Sequence, residues 1–194
     1  MSEHVPERQT SELRIGSSNG VVTHHAKLVL NEDCGSREIP VQGPPREVLR
    51  ERLVVDDRTL EFSAATLGNP HCVLIRDEVS EAETRQLGPR IENDVRFPNR
   101  TNVQFVRVVD RANLELRIWE RGAGYTLASG TSSCAAAAVA RRLGLCDASL
   151  TAHMPGGELA LEIGSDFSVL LRGPVVKVAE GTLHEEALVG VASR

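Results

Sequence analysis

The segment at 134–143, Cys-Ala-Ala-Ala-Ala-Val-Ala-Arg-Arg-Leu, constrains the fold of this chain more than any other. It is small and apolar on nearly every face until Arg141 and Arg142, so it predicts a helix buried all round rather than an amphipathic one. Gly144 suits a left-handed cap, and the two arginines lie at the negative end of the helix. Its positive end then points from a protected interior toward Ser129-Gly130-Thr131. Just upstream, a strand ending in Trp119-Glu120-Arg121 turns through Gly122-Ala123-Gly124 into that helix start. Taken alone, the helix reads better as a core element with a Ser/Thr cap. With Glu120 and Arg121 beside it, the reading becomes an anion site: open N–H groups at a helix start attract negative charge. Arg121 adds a forked grip suited to a carboxylate.

The rest of the sequence says what must surround such a helix. Aromatic residues make up 3% of the chain, so the core is built of Val, Leu, Ile and Ala, with no platform for stacking bases. The net charge of −5 also argues against nucleic acid. No run is long enough to span a membrane, and residues 1–12 lack the apolar core of a signal peptide. The expectation is a cytoplasmic protein with a polar, disordered leader over 1–12 and a single domain over 13–194. Cys34, Cys72, Cys134 and Cys146 are widely spaced and read as reduced thiols. A metal site joining Cys134 and Cys146 to His71, His24 or His25 lacks ligand spacing, so no metal is expected. Lys27 and Lys177 are the only lysines, each in a strand-like alternation, and neither suits a pyridoxal phosphate Schiff base.

Alternation predicts strands at 13–15, 21–30, 52–55, 58–66, 72–75, 103–109, 114–119, 159–163, 169–171 and 175–178. Ser80-Glu81-Ala82-Glu83 is a capping box opening a surface helix over 81–92, read as scaffold. There is no dinucleotide fingerprint and no phosphate loop. Gly68-Asn69-Pro70-His71 places an amide and an imidazole on a tight turn; by itself it is an ordinary Asn-Pro turn, and the same holds for Asn102. Ser129 with His71 offers a rival reading as a serine hydrolase, although Ala-Ser-Gly-Thr is not a nucleophile elbow.

Three segments together carry a resemblance that no one of them carries alone. Gly68-Asn69-Pro70-His71, Phe97-Pro98 through Asn102-Val103-x-Phe105, and Trp119-Glu120-Arg121-Gly122-x-Gly124 leading to Ala128-x-Gly130-Thr131 and Cys134-Ala135 have the order and spacing of diaminopimelate epimerases. The resemblance covers 13–184 and corresponds to the family's second half. It implies an α+β fold, one epimerase-type half in which a curved, antiparallel-rich sheet wraps a central apolar helix. It also implies inversion at the α-carbon of an amino acid without pyridoxal phosphate or any other cofactor, a step in lysine biosynthesis. In the family two cysteines, one per half, act as base and acid. By position, Asn69, Asn102, Glu120, Arg121, Gly130 and Thr131 resemble the substrate-binding residues, and His71 and Glu120 those that tune the thiols.

This sequence departs from the family in four places. Ser129 stands where the second-half catalytic cysteine is found, and a hydroxyl is a far weaker acid than a thiol. The first-half motif Cys-Gly-Asn-Gly does not occur. Tyr125 replaces a glutamate and Ser132 a glycine, both read as enlarging side chains near the carboxylate site. The expectation is therefore impaired or partner-dependent proton transfer with Ser129, His71 and Glu120 as the catalytic set, in a homodimer or in complex with a separate protein carrying the other half. The alternatives are an amino-acid-binding homologue without activity and the serine hydrolase.

Overall fold

The structure, a computed structural model, describes residues 20–25, 27–28, 41–43 and 46–174. The account below concerns the compact unit Val21–Gly173. Its elements in chain order are β1 (Gly20–His25), β2 (Lys27–Leu28), β3 (Glu51–Val55), β4 (Arg58–Thr66), β5 (Pro70–Ile75), α1 (Glu81–Glu92), β6 (Asn102–Asp110), β7 (Asn113–Glu120), β8 (Gly124–Thr126), α2 (Gly130–Arg142), β9 (Ser149–Met154), β10 (Gly157–Ile163) and β11 (Ser168–Gly173).

One sheet runs β1-β11-β10-β9-β7-β6-β5-β4-β2, with β3 on β4 and β8 on β7. Two of its pairs are parallel, β5 with β6 and β7 with β9, and each is joined through a helix. Both crossovers step the same way across the sheet, but β6 and β7 run antiparallel, so the two pairs point in opposite directions. Right-handed crossovers must then place α1 and α2 on opposite faces. The burial agrees. Leu87 and Ile91 of α1 share one cluster with Leu53, Phe62, Cys72, Leu74, Val103 and Phe105. Residues Cys134 to Ala140 of α2 share the other with Val73, Val106, Leu116, Ile118, Leu161 and Val169.

α2 touches β4, β5, β6, β7, β9, β10 and β11, so the sheet curls round it. The ends of the strand order are β1 and β2, which position 26 alone separates in sequence. A helix enclosed in this way must be apolar and narrow on all sides, and alanine lets seven strands approach it. The predicted α+β fold, with a curved sheet round a central apolar helix, is the fold observed.

Both helices are capped as their sequences require. Ser80 accepts from the Glu83 N–H at the start of α1. Gly144, at φ +73°, follows the last turn of α2, where its N–H bonds Arg141 and the Leu145 N–H bonds Ala140. Most strand boundaries agree with alternation to within two residues. Two short elements, β8 and β9, are additions: their patterns are only three and six residues long and interrupted by polar positions. The expected strand 21–30 is divided into β1 and β2. The leader at 1–12 and the strands expected at 13–15 and 175–178 lie outside the described residues, as does Cys34.

Cys72, Cys134 and Cys146 are buried and free. Burial pushes the Cys134 thiol up to about 12 and the Cys146 thiol up to about 11, so both pack as small hydrophobes. No helix among the described residues is long and apolar enough to cross a membrane.

Candidate active site at the start of the buried helix

Strand alternation decides which side chains reach the start of α2. On β5, Cys72 and Leu74 face α1, so His71 and Val73 face α2. On β6, Val103 and Phe105 face α1, which sends Asn102, Gln104 and Val106 to the α2 side. On β7, Trp119 packs with the α1 cluster while Leu116, Ile118 and Glu120 alternate toward α2. Register completes the placement, with His71 opposite Asn102 and Gln104 opposite Ile118. Thus the N-terminal ends of β5 and β6 and the C-terminal end of β7 meet at one corner of the sheet, where α2 begins.

A continuous chain of polar side chains crosses that corner. His71 Nε2 lies 3.0 Å from Asn69 Oδ1, and His71 Nδ1 lies 3.0 Å from Gln104 Nε2. Gln104 Nε2 also donates to Ser132 Oγ at 2.9 Å, and Ser132 Oγ donates to Glu120 Oε1 at 2.8 Å. An amide nitrogen can only donate, so Nδ1 accepts and the Nε2–H donates to Asn69. His71 is fully buried and neutral. Burial first, and then the nearby Arg121 charge, lower its pKa to about 3. Gln104 Oε1 is buried without a hydrogen-bond partner among the described residues.

The turn after β7 is fixed from two sides. Asn102 Oδ1 accepts the Arg121 N–H at 2.8 Å while Asn102 Nδ2 donates to Pro70 O at 3.0 Å, and Arg121 Nη1 donates to Asn99 O at 2.8 Å. From the α1 side, the buried Glu92 carboxylate accepts the Gly122 N–H at 3.0 Å and the Trp119 indole N–H at 2.7 Å. Gly122 has φ +76° and Gly124 φ +85°, values that favour glycine at both turn positions. On the far side of the corner, Ser129 caps α2, its Oγ accepting the Ser132 N–H at 3.3 Å. The amides of Gly130 and Thr131 lie in the first turn, outside the helix ladder.

The structure therefore gathers Asn69, His71, Asn102, Glu120, Arg121, Ser129, Gly130 and Thr131, the residues expected to bind or react, around one corner. Two expectations need correction. Tyr125 is not a neighbour of the carboxylate site: its ring lies 4.5 Å below the Arg85 guanidinium of α1, on the opposite face of the sheet. Ser132 does not merely add bulk, since its hydroxyl is the link between Glu120 and Gln104. Neither ring nitrogen of His71 bonds Ser129, because Asn69 and Gln104 occupy both. A neutral, fully buried imidazole so engaged is not placed as the base of a serine nucleophile.

Sequence reasoning missed Gln104 and Glu92. Gln104 shares the β6 face of Asn102 by simple alternation. Glu92 is an acidic residue on the apolar face of α1, four residues after Gly88, at the helix end that disfavours negative charge. Among the described residues no group of three His, Cys, Asp or Glu could hold a metal ion.

Known proteins are similar to this chain over most of its length. Residues 63–178 match the family model described as diaminopimelate epimerase. Diaminopimelate epimerase 2 of a Nostoc species is 50% identical over 151 residues, which cover 78% of this chain and 53% of that protein. The diaminopimelate epimerase of Pseudomonas savastanoi pv. phaseolicola is 46% identical over 186 residues, or 89% of this chain and 65% of its own length. This chain thus spans between about half and two thirds of these curated relatives. Among solved structures, a predicted epimerase from Pseudomonas aeruginosa has a TM-score of 0.48 at 17% identity, covering 87% of this chain and 60% of that one. The matched region contains the whole polar corner, from Asn69 through the start of α2, and with that identity the chain belongs to the diaminopimelate epimerase family.

Proposed function

We propose that the corner at the start of α2 binds the α-carboxylate and amino group of an amino acid, with diaminopimelate the first ligand to test. In this reading Arg121 and the amides of Gly130 and Thr131 meet the carboxylate, while Asn69, Asn102 and Glu120 meet the polar groups around the α-carbon. The observation that carries it is the unbroken hydrogen-bonded path from Asn69 through His71, Gln104 and Ser132 to Glu120, ending beside Arg121 and the positive end of α2. Donors fixed before a ligand arrives stabilise charge that develops on a carboxylate when its α-proton leaves.

Ser129 occupies the edge of this site as the cap of α2. Its hydroxyl can pass on a proton but is a poor resting base, because an alkoxide is far less accessible than a thiolate near neutral pH. Proton exchange at the α-carbon is therefore slow on this face, and inversion requires a second group on the opposite face. A second copy of the chain, or a separate protein bearing a Cys-Gly-Asn-Gly segment, supplies that face in this reading. Such an assembly also excludes water, which strengthens the carboxylate contacts. A cytoplasmic setting belongs to the same reading.

Calorimetry with L,L- and meso-diaminopimelate, paired with α-proton exchange in deuterated water, tests the reading. Wild-type chain should bind, Arg121→Ala should lose binding, and Ser129→Cys should exchange the α-proton faster than wild type. No binding of either stereoisomer by the wild-type chain would sink the proposal. Covalent labelling of Ser129 by a fluorophosphonate would instead favour the hydrolase. Light scattering at micromolar concentration should show an oligomer, and a monomer that inverts diaminopimelate rapidly by itself would refute the need for a second face.

A further inference from the structure

α1 packs on the face of the sheet opposite the candidate site, yet its last residue reaches through to the turn that carries Arg121. Glu92 is 5% exposed and accepts three donors. Oε1 takes the Gly122 N–H and Arg100 Nη1, each at 3.0 Å, and Oε2 takes the Trp119 indole N–H at 2.7 Å. A carboxylate at the negative end of a helix, removed from water, is unfavourable unless donors compensate it. Here the donors come from the last residues of β7, the turn itself and the loop before β6. The binding turn is thereby tied to a helix, while Asn102 ties the adjoining Arg121 amide to the site side at 2.8 Å.

We propose that Glu92 is a positioning residue for ligand binding, holding the 119–122 segment so that Arg121 and Glu120 present a fixed pair to the ligand carboxylate and amine. The inference rests on the ligand reading above for its effect on affinity and on geometry alone for its effect on the turn. Without the carboxylate, Gly122, Trp119 and Arg100 lose a common acceptor, and the two glycines that flank Ala123 leave the turn free to sample other conformations. The contact between Arg121 and Asn102 then breaks more often, although Glu92 does not touch it. A role confined to global stability would lower the melting point without selecting Arg121.

Amide hydrogen exchange on the full, unliganded chain separates these outcomes. In Glu92→Ala the Arg121 amide should exchange about tenfold faster or more, with protection in the middle of α2 unchanged. Glu92→Gln retains one acceptor oxygen and should give a smaller increase, and it serves alone if the alanine variant fails to fold. Acceleration confined to Gly122, with Arg121 still protected, would overturn the proposal. Calorimetry with diaminopimelate should show Kd raised about tenfold in the same variants. An unchanged Kd in variants of a wild type that binds would also overturn it. If the wild type binds neither stereoisomer, the ligand reading falls while the exchange of Arg121 still decides the role of Glu92.

Discussion

Replacing Gly88 with alanine should destabilise this protein even though helix propensity argues the reverse. In the interior of an exposed helix the change stabilises by about 1 kcal/mol. Gly88, however, lies where α1 meets β7. A Cβ there would sit 2.5 Å from Trp119 Cγ, 2.7 Å from Cδ2 and 2.8 Å from Cβ. The first distance is about 1 Å inside ordinary carbon contact. Trp119 Cβ is anchored to the strand, so rotating the indole relieves only part of the clash, and α1 must separate from β7. Overpacking costs about 1–3 kcal/mol, and three contacts under 3.0 Å, one of them to the anchored Cβ, put this substitution in the upper part of that range, about 2–3 kcal/mol. Set against the propensity gain, the net loss should be about 1–2 kcal/mol, or a melting point lower by roughly 2–8 °C for a chain of this size. The displacement also strains the indole bond to Glu92, so the turn bearing Arg121 should loosen with it. Trp119 is the single tryptophan in the sequence, so its fluorescence reports the contact directly during urea unfolding. Gln86→Ala, on the exposed side of α1, is the control and should change stability by less than about 0.5 kcal/mol. A Gly88→Ala chain as stable as wild type, with unchanged emission, would refute the described packing of α1 on β7.

Stability should fall as the pH drops below 6.5. The native pKa of His71, about 3, lies beneath its unfolded value, so between those limits only the unfolded chain takes up the proton. By pH 5 the loss from this group should reach about 2 kcal/mol by chemical denaturation, and a His71→Gln variant that folds should show a flatter profile. Ser132→Ala should cost about 1–3 kcal/mol, since it deprives both Gln104 Nε2 and Glu120 Oε1 of a partner; thermal melts showing no loss would mean the hydroxyl bridge is not formed. Gly144→Ala should cost roughly 1–2 kcal/mol through its φ of +73° alone, because no atom lies within 4 Å of the added Cβ. A larger loss in urea titration would point to a steric contact the structure lacks.

The sequence by itself determined a great deal of this molecule, because the decisive signals were local. An alanine helix with no polar face must be enclosed, and the glycine and arginines at its end mark where it stops. The capping box at Ser80 predicts the start of α1, and the spacing from Asn69 to Thr131 carries the family. The helix and cap signals depend on residues within a turn or two of one another, so their physics is complete in the linear chain. What only the tertiary structure decided is which of them meet. Opposite directions of the β5–β6 and β7–β9 pairs put the two helices on opposite faces, which separates Tyr125 from the site and brings Ser132 between Glu120 and Gln104. Gln104 is an unremarkable strand glutamine until register sets it 3.0 Å from His71, and Glu92 an end-of-helix acid until the turn after β7 supplies its donors. Local pattern fixes the face on which a side chain lies, whereas partners more than 25 residues away are chosen by strand order and crossover hand, which appear in no short stretch of sequence.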